Sequence, residues 1–122
     1  TQRANTLLLP TTRLQRLAER RVGDTESTVL DFLKKNNSYT LETGQPLNIR
    51  GSFTLETAGS GGTARMMAYE NEKGVVRLHL PAPHEFLPAF QTHSTRWEVA
   101  GFFNVGGVEF RRPKGAAYRD GI

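Results

Sequence analysis

Three histidines, His79, His84 and His93, with Glu85 among them, form the densest group of potential metal ligands in the sequence. Two imidazoles reach one zinc ion at ~2 Å when they are closely paired, as in His-x-x-x-His on a helix. Pro81 and Pro83 forbid a regular helix between His79 and His84. The spacing predicts histidines hydrogen-bonded in a proline-bounded crossover, with no metal site. Ser, His and Asp are present, but no GxSxG elbow raises a nucleophile between strand and helix. Glu70 and Glu72 share a strand face next to a turn and read as solvated carboxylates, not as an acid–base pair. Gly59-Ser60-Gly61-Gly62 lacks the Lys-Ser/Thr sequel of a phosphate-cradling loop, and Thr63-Ala64-Arg65 leads into a strand, so a mobile loop tip is expected. Catalytic residues: none; cofactors: none; metal ligands: none. The chain contains no cysteine, which excludes disulfides and thiolate chemistry and leaves the redox compartment undecided.

The elements that would position these groups run from helix to sheet. Pro10-Thr11-Thr12 supplies a stop and a cap; Leu14, Leu17, Ala18 and Val22 repeat at helical spacing, and Gly23 closes the segment. Asp24-Thr25-Glu26 opens a second helix whose face is Val29, Leu30 and Leu33. Lys34-Lys35 lies at its negative end, and Asn36-Asn37 ends it. After Pro46 the period shortens towards two: Leu47 and Ile49, Phe53 and Leu55, Met66 and Ala68, then Val76, Leu78 and Leu80 read as strands. Asn71-Glu72-Lys73-Gly74 is a candidate hairpin loop between two of them. The fold class expected is α+β, with two N-terminal helices (residues 1–37) packed on a mainly antiparallel sheet (residues 46–122) in a single domain.

Composition fits one compact unit of 122 residues, with 37% hydrophobic and 23% charged side chains. No apolar run approaches the ~20 residues of a membrane helix, and Thr1-Gln2-Arg3 is no secretory signal. The formal charge of +4 is shared evenly between the halves. Arg13, Arg16, Arg20 and Arg21, and the later Arg111, Arg112, Lys114 and Arg119, read as solvated or subunit-facing groups before they read as nucleic-acid contacts.

From Trp97 to Ile122 the sequence predicts two short apolar strands about a Gly106-Gly107 turn, with Trp97, Val99, Phe102 and Val105 facing Val108 and Phe110 in a buried face. Phe102 and Phe103 are adjacent, so one must face away from the other unless Gly101 places a bulge there; an outward Phe would make a good subunit contact. A basic tract then runs through Arg111-Arg112-Pro113 to Ile122.

The order of these segments, LLLP, TVLDFL, ARMMAYE, LHLPAPHEFLP and GGVEFRRPKGAAYRDGI, resembles the C-terminal part of the phage and prophage major capsid proteins with the Hong Kong 97 phage fold. The resemblance covers nearly the whole chain. It implies the axial domain of a capsid fold, the lobe around each capsomer's symmetry axis, as a fragment of a longer capsid protein without its N-terminal arm, extended loop and spine helix. It implies a self-assembling structural protein of a virion or prophage-derived shell, assembled in the bacterial cytoplasm. The expected partners are copies of itself, as a homo-oligomer of pentamers and hexamers, with packaged DNA a further candidate; no membrane or small-molecule substrate is expected. Candidate subunit contacts are Gly59, Ser60, Gly61 and Gly62 in the loop, Phe102 and Phe103, and Arg111 and Arg112. The competing readings are a small basic nucleic-acid-binding α+β domain, and a small-molecule or hydrolytic domain with a pocket near His79 to His93.

Overall fold

The computed structural model describes residues 3–122, so Thr1 and Gln2 of the opening tripeptide lie outside the described residues. The run Leu7-Leu8-Leu9 is too apolar for an exposed edge, and it forms β1 (Thr6–Pro10), an interior strand of a four-stranded sheet. Pro10 cannot extend the ladder, and α1 (Thr11–Glu19) begins at once. Then come α2 (Val29–Asn36), α3 (Ser38–Thr43) and β2 (Asn48–Ser52), which returns parallel to β1, Leu7 opposite Ile49. A parallel pair needs such a crossover because the chain must travel back along the sheet. β3 (Arg65–Tyr69) and the last strand of the chain, β10 (Ala116–Asp120), complete the order β10-β3-β1-β2, with both remaining pairings antiparallel. The α+β class and the mainly antiparallel sheet are borne out, with β1 and a third short helix as additions.

Several boundaries differ from the sequence reading for local reasons. α1 stops at Glu19, because Arg20 is already extended and Arg21 bridges Thr28 across a tight turn; Gly23, at φ 58°, serves that turn and not the helix end. α2 begins only at Val29, where Thr28 Oγ1 accepts the Asp31 N–H at 3.3 Å. Asn37 ends α2 as expected and also starts α3. Its Nδ2 donates to the carbonyls of Leu33 and Lys34, while its Oδ1 accepts the Thr40 N–H at 2.8 Å. Phe53 and Leu55 are not on a strand: Phe53–Glu56 is a 3-10 turn that leaves Phe53 83% exposed. That turn carries Glu56 to the start of α1, where the Thr12 N–H and Oγ1–H both donate to its carboxylate at 2.9 Å. The cap of α1 is therefore a residue 44 positions away, not Thr11 or Thr12 itself.

Asn71–Gly74 does not close a hairpin, since β3 and the next strand never pair. Here the Glu72 carbonyl accepts the N–H groups of Val75 and Val76, and the chain leaves the sheet. It enters a long two-stranded ribbon formed by β4 (Val76–His79), β5 (Ala82–Phe86), β6 (Phe90–His93), β7 (Arg96–Glu98), β8 (Gly101–Asn104) and β9 (Gly107–Phe110). β4 pairs with β9, β5 with β8 and β6 with β7, all antiparallel, so the tip is Ser94-Thr95. This overturns the Gly106-Gly107 hairpin: β8 and β9 are successive pieces of one side of the ribbon, and Gly106 is a joint, its N–H donating to the His79 carbonyl at 2.8 Å. A second joint lies at Leu87 to Pro88, where the Leu87 N–H donates to the Ala100 carbonyl. The ribbon returns at Arg111, whose N–H donates to the Val75 carbonyl, and β10 rejoins the sheet.

The buried core is small. Leu9 and Pro10 of β1, the Thr6 side chain and Val75 at the ribbon's foot are its buried members. Twelve of the sixteen exposed large hydrophobic residues lie between Leu78 and Phe110, all on the ribbon. The expected burial of Trp97, Val99, Phe102, Val105 and Val108 therefore does not occur: these are 47–63% exposed, because no second layer of the chain covers them. The total accessible surface is 9252 Å². A folded monomer of this mass exposes roughly 6,600 Å², and the exposed side chains of the ribbon contribute to the excess. Among the described residues, no helix is long and apolar enough to cross a membrane.

Candidate functional site

The histidines do not converge. At ~3.3 Å per extended residue, His79 and His84 stand well apart along one side of the ribbon, and His93 lies further out beside the tip. The expected crossover is a ribbon side. His79 Nε2 hydrogen-bonds to Glu109 Oε2 at 2.7 Å across β4 and β9, and Arg111 Nε lies 3.7 Å from the same oxygen. These groups, His79 first, hold the Glu109 carboxyl below its usual range. His84 packs edge-on against Phe86, with centroids 4.5 Å apart, and tilted against Phe103 at 5.9 Å. Gly101 opens the space for this cluster, since a Cβ there would stand 3.2 Å from both His84 Nε2 and the Phe86 ring. Among the described residues no three metal-ligating side chains come together.

Glu70 and Glu72 do not behave alike. One carboxylate oxygen of Glu70 is buried without a hydrogen-bond partner, contrary to the solvated reading, whereas Glu72 is exposed in the turn. Burial follows from position: the Glu70 N–H donates to the Gly115 carbonyl, which fixes it between β3 and the segment preceding β10.

Gly59 to Gly62 form a pinned turn instead of a mobile tip. The Ser60 N–H donates to Asp120 Oδ2 at 3.1 Å, the Gly59 N–H to the Thr63 carbonyl at 2.7 Å, and Thr63 Oγ1–H to the Ser60 carbonyl at 2.9 Å. A Cβ at Gly59 would stand only 2.6 Å from the Thr63 carbonyl oxygen, so glycine is required there. Asp120 is in turn held by Arg65, whose Nε donates to Oδ1 at 2.6 Å and whose guanidinium lies over the Tyr118 ring at 4.3 Å. The Arg65 hydrogen bonds, then the Ser60 N–H, keep the Asp120 carboxyl below its ordinary range. The sequence reading missed Asp120 and Arg65; the signal was weak, because they are 55 residues apart and meet only through the β3–β10 register, where they are direct partners.

The remaining candidates occupy the ribbon and its foot. Phe102 pairs opposite Glu85 while Phe103 shares the His84 side, so the two rings point to opposite faces, as their adjacency requires, and both are exposed. At the foot the alternation is clean. Val76, Leu78, Val108 and Phe110 stand on one face, in the register Val76–Phe110 and Leu78–Val108, and Arg77, His79, Glu109 and Arg111 make the other. Arg112 is exposed beyond the foot. The structure thus brings Arg111 to the foot of the ribbon that carries Phe102 and Phe103, and keeps Gly59–Gly62 separately on the β10 end of the sheet. One depression near Tyr39 is lined by the amides of Asn5, Gln45, Asn48 and Asn71, and a second by the Arg3–Glu42 ion pair; a third, at the ribbon's foot, is lined by Lys73, Arg77 and Arg111 beside Val76 and Leu78.

The fold and surface are those of a protein whose large apolar surface is displayed on a projecting arm. No curated protein matches the sequence. Among solved structures the chain is similar to one described as the capsid of Myoviridae phage XM1, with a TM-score of 0.72 at 19% identity, over 98% of this chain. The chain spans 38% of the length of that protein. The family model described as "Major capsid protein" matches residues 1–122, the whole sequence. On that match the chain belongs to the major capsid protein family.

Proposed function

We propose that this chain is the axial-domain part of a longer phage or prophage major capsid protein, and that its role is architectural: copies of it join into pentamers and hexamers of a shell. The observation that carries the reading is the family match over all 122 residues. The fold likeness to a phage capsid chain and the 38% coverage of that chain support its being one domain of a larger subunit. The small core and large accessible surface favour a protein completed by neighbours, since many modest interfaces of complementary shape sum to a stable closed assembly.

In this reading the protein resides in the virion capsid, is assembled in the bacterial cytoplasm, and belongs to a shell that encloses packaged DNA. Phe102 and Phe103 serve as apolar anchors, Arg111 and Arg112 as charged contacts at the ribbon's foot, and Gly59–Gly62 as a turn of fixed shape that loses little entropy on contact. Neither a substrate nor a cofactor enters. Sedimentation velocity of the longer capsid protein that contains this chain, across a concentration series and with electron microscopy of the largest species, tests the proposal. Association that rises with protein concentration, to closed particles, is expected. A monomer at every concentration that binds DNA with an affinity falling steeply in salt would instead make it a nucleic-acid-binding domain.

A further inference from the structure

The ribbon's foot carries cations that the carboxylates around them do not balance. Lys73 in the turn, Arg77 on β4 and Arg111 beyond β9 line one depression of about 480 Å³, together with Val76 and Leu78. Among the described residues neither Lys73 nor Arg77 forms an ion pair. Glu109 stands directly opposite Arg77 in the register, but its carboxylate is engaged by His79 at 2.7 Å and by Arg111 at 3.7 Å. Glu72 precedes Lys73 in the exposed turn and pairs with no cation. The lining of the depression therefore holds three cations and no carboxylate. We propose that this depression binds a phosphate group, with Lys73, Arg77 and Arg111 set around its oxygens and Val76 and Leu78 as an apolar wall.

The chemistry of the lining selects the anion. A carboxylate presents two coplanar oxygens, which a single guanidinium fork satisfies. Cations that enter from a turn and from both sides of a ribbon offer donors in more than one plane, and the tetrahedral oxygens of a phosphate use all of them. Arginine supplies planar forks and lysine a compact point charge, and both suit phosphate. The apolar wall keeps water from one side, which strengthens each charge-assisted contact. The depression also has room for the groups esterified to a phosphate. Two sources carry that group: the phosphodiester backbone of a nucleic acid, and the free anion. Packaged DNA is the source at hand if the shell reading above holds; that assignment rests on the reading, whereas the site itself does not. Arg111, a subunit contact in that reading, forms only one wall, so Lys73 and Arg77 carry the test.

The longer capsid protein that contains this chain is titrated in two arms. One uses a labelled double-stranded DNA oligonucleotide across a salt series, read by fluorescence anisotropy. The other uses inorganic phosphate against chloride at matched ionic strength, read as a rise in Tm. The double change Lys73→Gln with Arg77→Gln should weaken DNA binding at least ~10-fold, lower the salt slope by about two and abolish the Tm rise, with far-UV circular dichroism unchanged. Arg16→Gln with Arg20→Gln removes the same charge elsewhere and should cost far less in both arms. A response to DNA alone supports the site with nucleic acid as its ligand, and a response to inorganic phosphate alone supports it with the free anion. Equal losses in the two double variants overturn the site. So does a wild-type protein that responds in neither arm, the outcome expected if carboxylates of the rest of the polypeptide fill the depression. Sedimentation of the same protein at higher concentration reads the shell separately: particles without phosphate binding remove only the site, and phosphate binding without particles removes only the shell reading.

Discussion

The sheet body and the ribbon use the same apolar alternation and end in opposite states. In the body, β1 is flanked by β2 and β3 and packs against α1 and the Phe53–Glu56 turn, so Leu9 and Pro10 are buried. In the ribbon, Leu78 and Val108 pair as correctly as any two residues of a half-buried sheet and remain 54% and 59% exposed. Alternation specifies which face is apolar; it does not specify where the covering layer comes from. The body draws cover from α1, which packs on β1 and β2, whereas nothing in the described residues covers the ribbon.

The comparison breaks most sharply if the arm is removed. Arg77 and Glu109 are direct partners across the foot, so replacing residues 78–108 by Asn-Gly leaves a two-residue hairpin of favoured turn geometry. The shortened chain should fold with a Tm within a few degrees of wild type, and the longer capsid protein carrying the same deletion should form no particles by sedimentation; particles of normal size would end the division into a self-sufficient body and a dependent ribbon. On the body side, Gly51 of β2 admits Leu14 of α1, whose Cδ2 would be 2.9 Å from an added Cβ. Gly51→Val should destabilise the body by ~1–3 kcal/mol through overpacking, measured by thermal unfolding, and leave the ribbon's strand pairing unchanged.

Two carboxylates give smaller effects that sharpen the picture of how the body holds its loops. Asp120 has a folded-state pKa below its unfolded value, so its contribution is fully present above the unfolded pKa and is lost as pH falls through the folded one. Protection of the Ser60 amide against hydrogen exchange, relative to its intrinsic rate, should therefore fall as the solution is acidified through the folded-state pKa of Asp120, and at neutral pH in Asp120→Asn, while protection in the ribbon stays as it was. Glu56 is also held low, first by the Thr12 N–H. Glu56→Gln should lower Tm slightly, with the loss greatest at neutral pH and shrinking on acidification as the wild-type carboxylate is neutralised.

Much of the body was legible locally. The helical spacing of Leu14 and Leu17, the stop at Asn37 and the strand period of Met66 and Ala68 each report a preference carried by a few neighbouring residues. The ribbon was legible as strands but not as a ribbon. Gly106-Gly107 has the composition of a tight turn, yet pairing of β9 with β4 competes with pairing to β8, and the first brings together residues some 30 positions apart. The Asp120–Arg65–Ser60 lock, the Glu56 cap on α1 and the buried oxygen of Glu70 likewise depend on long-range register, which leaves no periodic trace.

The sequence by itself determined the class of the elements, the α+β make-up, the lack of thiol chemistry and the opposed faces of Phe102 and Phe103, because propensity, period and side-chain alternation act over a few residues. Only the tertiary structure decided that β1 enters the sheet's interior, that the glycine loop is pinned to Asp120, and that the aromatic strands project away from the core. Those outcomes are set by which distant strands pair, a choice governed by the burial available to the whole chain and not by any single segment.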